Sequence, residues 1–193
     1  MAILLFFIWI LLLMVFCTIF SKPIMQGCAS LAHKTISLVI GLGAFLLFSH
    51  LISYTTQDYR LSTFIVSLGF LVLVLARRKD IIGDYNFDLY ELIALLISVF
   101  LVMSMAYRDN NFGNPDNFHI PLIANLALNK TYPPILPSDT EMLMTSYHYG
   151  TDMIGAAIKS LTSLSAWDAL SYQIGLGSAL VMLSLFSLAQ VFF

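Results

Sequence analysis

The chain has 193 residues, 59% of them hydrophobic and 10% charged, with a mean hydropathy of +0.87. Soluble domains carry about 25% charged residues, so this chain has too little polar surface to face water. Its formal net charge of −2 and scattered basic residues exclude the basic face that nucleic-acid binding requires. Two cysteines, Cys17 inside an apolar run and Cys28 after it, do not make a disulfide framework.

The unit of length that matters is the membrane-spanning helix of about 20 apolar residues. Five runs have that character: 2–20, 36–54, 61–76, 92–107 and 169–193. The first contains no charge and lacks the basic residues that open a cleavable signal peptide, so it reads as a retained anchor. The second and third are joined by the polar turn Thr55-Thr56-Gln57-Asp58-Tyr59-Arg60, which predicts a helical hairpin. Basic residues collect after the third run at Arg77, Arg78 and Lys79, and Lys22 and Lys34 flank the first connection. Lys and Arg in short loops stay on the cytoplasmic side, so both connections are expected there. The N-terminus, the turn near Asp58 and the segment 108–168 are then extracytoplasmic, in the plasma (inner) membrane if the chain is bacterial.

The runs hold no charged or imidazole side chain other than His50, and Gly41, Gly43, Gly175 and Gly177 read as points of close helix packing. The last run is still apolar at Phe193, the pattern of a truncated fifth span in the N-terminal part of a longer chain. The expected fold is all-α, a polytopic membrane bundle of about five transmembrane helices with a partly helical outer loop on the membrane surface. Its expected parts are 1–107 (four spans), 108–168 (the loop) and 169–193 (the fifth span).

A connection of this length far exceeds the usual 2 to 8 residues between bundled helices, and such loops are commonly functional. Phe118, Leu122, Ile123 and Leu126 recur at near-helical spacing after Asp116, which predicts a short amphipathic helix capped by that carboxylate. Pro121 is tolerated in its first turns, where backbone donors lack intrahelical partners. Tyr132-Pro133-Pro134 then imposes an extended path, and Met153 to Leu164 reads as an interfacial helix or the entry of the next span. The segment carries six acidic residues against three basic ones. Asp116 and His119 are three apart and His148 and Asp152 four apart, so each pair is placed to share a helical face. Carboxylate and imidazole together suit a transition metal, and carboxylate alone suits Mg. The plainer reading makes Asp116 a helix cap and the histidines interfacial side chains with an apolar body and a wet tip.

Asp116-Asn117-Phe118-His119-Ile120-Pro121-Leu122-Ile123, then Tyr132-Pro133-Pro134, then Tyr147-His148-Tyr149-Gly150-Thr151-Asp152 together resemble the first outer loop of the C-type (GT-C) polytopic membrane glycosyltransferases. The likeness is strongest to bacterial relatives of the dolichyl-phosphate-mannose-protein mannosyltransferases, and it covers about a quarter of the chain. It implies a polyprenyl-phosphate-linked sugar donor and transfer, with inversion, to an acceptor on the extracytoplasmic face. In that family a carboxylate of this loop is the catalytic base or helps hold a metal, and Asp116 is the matching residue. His119, Tyr147, His148 and Asp152 become the candidate substrate-binding groups. A divalent cation such as Mg or Mn, if used, has Asp116, His119, His148 and Asp152 as candidate ligands. The family's catalytic loop usually follows the first span, whereas four spans precede it here. The competing expectations are a membrane transporter and a noncatalytic component of an envelope assembly complex.

Overall fold

The computed structural model describes residues 1–21, 30–77, 79, 88–112, 119–128, 132–136, 139–143 and 150–192. Among them are seven helices: α1 (Ala2–Ser21), α2 (Ser30–Thr56), α3 (Tyr59–Ala76), α4 (Leu89–Phe112), α5 (His119–Leu128), α6 (Gly150–Thr162) and α7 (Ala166–Phe192). A two-stranded antiparallel hairpin, β1 (Ile135–Leu136) and β2 (Asp139–Leu143), sits between α5 and α6 and pairs Leu136 with Asp139. The fold is all-α in the sense expected, with this hairpin as the departure.

Helices α2, α3, α4 and α7 each contain a stretch long and apolar enough to cross a membrane. Helix α1 is a shorter apolar helix, free of charge over Ala2–Thr18. The chain is an integral, multi-pass membrane protein. Its surface agrees: Leu68, Val72, Leu96, Phe100, Val181 and Leu188 are all exposed. Hydrocarbon offers no hydrogen bonds, and several of the buried hydroxyls are bonded within their own helices. Thr18, Thr35, Ser53, Thr63, Ser98 and Ser187 each donate to the carbonyl four residues earlier.

The helix starts are written in short polar motifs. Asp58 caps α3 by accepting from the Leu61 amide at 2.9 Å. Asp88 accepts from the Glu91 amide at 2.8 Å while Glu91 Oε2 accepts from the Asp88 amide at 3.2 Å, a reciprocal cap that opens α4. Ser165 accepts from the Asp168 amide at 3.0 Å and donates to its carboxylate at 2.6 Å at the start of α7. Gln57 and Ser163, with φ of 56° and 62°, make left-handed turns after α2 and α6, each sending its N–H back four residues.

Cross-helix contacts fix a serpentine path. At one end Leu31 meets Gln190, Thr35 meets Ser187, and Tyr90 donates to the Phe186 carbonyl. At the other end α5 and α6 pack on each other and on the ends of α3 and α7, forming a cap. Two glycines set the closest approaches. A Cβ on Gly41 would strike the Leu13 backbone, and one on Gly175 would come within 2.9 Å of Val102 Cα, so α1 lies tight on α2 and α4 tight on α7. Gly43 and Gly177 face open space and have no such role.

One sequence expectation needs correction. The spans were expected to hold no ionisable group beyond His50, yet α2 and α4 extend further than the apolar runs and bury Lys34 against Glu91 at 2.7 Å. The runs ended at charges, and the helices continue because those charges neutralise one another. Lys34 is accordingly an internal ion-pair partner (5% exposed) and not a loop charge; Arg77 and Lys79 stay exposed near the end of α3. Within the segment 108–168, α4 runs to Phe112 and α6 buries most of its residues against α1, α3, α5 and α7.

Candidate functional site

The cap begins with α5, whose Leu122, Ile123, Leu126 and Ala127 are buried. This is the stripe predicted from their spacing, with Pro121 in the first turn where it removes no helical bond. Helix α6 presents Met153, Ala156 and Ala157 to α5 and to the bundle, and the same face carries Asp152. A carboxylate buried on an apolar face needs a partner. One partner is His119, the first residue of α5, whose Nδ1 lies 2.8 Å from Asp152 Oδ1.

The pair is asymmetric in exposure: the Asp152 side chain is 0% exposed and that of His119 is 43% exposed. Asp152 sits in the first turn of α6. With the carboxylate ionised, Nδ1–H donates to it, which fixes the ring orientation and directs the basic lone pair to Nε2. A buried carboxylate behind a half-exposed imidazole is an arrangement suited to general acid–base work or to hydrogen-bonding a phosphate.

Tyr132 anchors the next part of the cap. Its hydroxyl hydrogen-bonds His50 Nδ1, its amide reaches Gln57 Oε1 at 3.4 Å, and its ring packs between those of Tyr54 and Tyr59. Tyr59 in turn donates to the Met153 carbonyl at 2.7 Å. The Tyr132-Pro133-Pro134 segment, whose first proline is cis, leads directly into β1. His50 therefore serves as a structural tie between α2 and the cap.

Of the candidate site residues, the structure brings together His119 and Asp152. Asp116, Tyr147 and His148 lie outside the described residues, so neither sequence-adjacent pair, Asp116 with His119 or His148 with Asp152, is among the contacts described. The observed pairing spans 33 positions. Among the described residues no three His, Cys, Asp or Glu side chains converge as a metal-ligand group. Sequence reasoning missed the partners of Tyr132, although Tyr54, Tyr59 and His50 at one end of the α2–α3 hairpin were a signal for an aromatic cluster. It also missed that Asp152 shares a helical face with Met153, Ala156 and Ala157, which marks it as buried.

Comparison with known proteins places no neighbour beside this arrangement: no family model, curated protein or solved structure matches the chain.

Proposed function

We propose that the cap is the catalytic surface of a lipid-sugar-dependent membrane glycosyltransferase. In this reading a sugar passes from a polyprenyl-phosphate donor to an acceptor on the extracytoplasmic side. The observation that carries the reading is the His119–Asp152 pair, held where two helices begin and close to the membrane-spanning bundle. A donor whose phosphate lies at the bilayer surface and whose sugar projects from it meets such a cap without leaving the membrane. The ordered motifs around Asp116, Tyr132 and Tyr147 support the same assignment, as does the cytoplasmic placement expected for Arg77, Arg78 and Lys79 at the opposite end.

The roles follow from chemistry. Asp116 is the base that takes the acceptor proton, or a ligand to a divalent cation, and must reach the hydroxyl directly or through one water. His119 donates to the donor phosphate, and Asp152 positions the imidazole. Tyr147 and His148 complete the donor pocket. In the complete protein reconstituted with donor lipid, Asp116→Asn and Asp152→Asn each reduce transfer by about 10²- to 10⁴-fold while expression and thermal stability hold. Ordinary transfer by both variants would overturn the assignment.

One observation favours a second reading, a transporter: ionisable residues inside spans are functional candidates by default, and Lys34–Glu91 is such a pair. Solute uptake by proteoliposomes that is abolished by Glu91→Gln, with no sugar transfer at any donor concentration, selects the transporter.

A further inference from the structure

The two glycine-tightened helix pairs leave a gap between them. Helix α1 is drawn onto α2 at Gly41, and α4 onto α7 at Gly175, while α2 and α7 close the back through Thr35 and Ser187. Helices α1 and α4 do not pack extensively on each other. Between them lies a cleft of about 190 Å³, lined on its four sides by residues such as Phe7, Met14, Leu38, Val99, Ala179 and Leu183. Leu11 and Val99, at 50% and 39% exposure, form its rim. The wall residues span about eight positions on α2, α4 and α7, and hence roughly 11 Å along the bundle. On α2 and α4 they belong to the half that carries the Lys34–Glu91 pair, away from the cap, and on α7 they lie about the middle of the helix.

The wall also states what can fill it. Its polar members are Lys34, Thr35 and Ser98. The Lys34 ammonium is on Glu91 at 2.7 Å, the Thr35 hydroxyl donates to the Leu31 carbonyl at 2.8 Å, and the Ser98 hydroxyl donates to the Ala94 carbonyl at 2.8 Å. These polar groups are engaged inside the protein, so the cleft rewards neither water nor a polar ligand. Apolar cavities of about 150 Å³ stay dry and take up benzene-sized hydrocarbon, and an unfilled space forfeits dispersion contacts on every side. The rim opens where the surrounding medium is lipid.

From these observations we infer that the cleft between α1 and α4 holds one acyl chain of a bilayer phospholipid from the leaflet opposite the cap. The chain completes the packing of the bundle in place of a helix–helix contact. This inference does not depend on sugar transfer, and the occupant is a different molecule in a different leaflet from the proposed donor.

The test uses the complete protein in nanodiscs doped with a phospholipid that carries a diazirine in its acyl chain. After photolysis, label maps to Ile10, Leu11, Met14, Leu95 and Val99 and persists when excess unlabelled phospholipid is added, whereas label on the outer face of α3 at Leu68 and Val72 is competed away. Ala179→Phe, which places a ring in the cleft, and Leu11→Trp, which blocks the rim without disturbing a buried position, both remove the persistent label. Equal competition at the two faces overturns the inference. So does absence of label at the α1–α4 rim, the result expected if a second copy or another helix covers the cleft.

Discussion

Two ion-pair contacts among the described residues are nearly equal in length and differ in what surrounds them. Lys34–Glu91 spans 2.7 Å with both side chains buried, 6% and 1% exposed, and Glu91 also closes the cap of its own helix. His119–Asp152 spans 2.8 Å with the carboxylate buried and the imidazole half exposed. In the first, both charges have been taken out of water and each is the other's compensation, so the pair fixes the register of α2 against α4. In the second, only the carboxylate is committed, and it orients a ring that still reaches the surface. Distance alone does not separate a structural pair from a chemical one; the exposure of the second partner does.

That contrast is broken most severely at the buried pair. Lys34→Ala leaves Glu91 uncompensated and lowers unfolding stability by about 3 to 5 kcal/mol, measurable as thermal unfolding in detergent. Lys34→Met combined with Glu91→Gln recovers most of the loss, because the neutral amide still accepts from the Asp88 amide and no isolated charge remains. Gly41→Ala follows at about 1 to 3 kcal/mol, since its methyl group meets the Leu13 backbone. Gly43→Ala is the internal control and leaves stability unchanged. Tyr132→Phe loses the His50 contact and costs about 1 kcal/mol, read as a small drop in melting temperature. A similarly small stability change comes at the exposed partner of the other pair. His119→Gln, whose amide can still donate to the buried Asp152 carboxylate, shifts unfolding by about 1 kcal/mol, while transfer activity in the complete protein falls with that of Asp152→Asn. A His119 variant as unstable as Lys34→Ala would place both pairs in the structural class.

Much of the fold was legible because a bilayer makes composition decisive. Runs of apolar residues must be helical there, since every backbone group has to be satisfied within its own segment. The predicted runs and the observed helices accordingly share their centres and differ at their ends. Those ends moved where a polar residue turned out to be a cap, as at Asp58, Asp88 and Ser165, or a paired charge, as at Lys34 and Glu91. The spacing of Leu122, Ile123 and Leu126 likewise gave the buried face of α5.

The candidate site was legible only as a set of residue types. Periodicity relates positions three or four apart, which is why it coupled His119 to Asp116 and Asp152 to His148. It carries no information on which two helix starts meet across 33 residues, and the contact of His119 with Asp152 is decided by the packing of α5 on α6. The sequence by itself determined that the chain lies in a membrane, where its long apolar helices run, and which polar residues gather between the last two spans. Tertiary structure alone decided which charges cancel inside the bundle, which imidazole stays at the surface, and where α1 and α4 stand apart. Hydrophobic transfer acts on each residue in turn, whereas pairing and close approach exist only between residues that folding brings together.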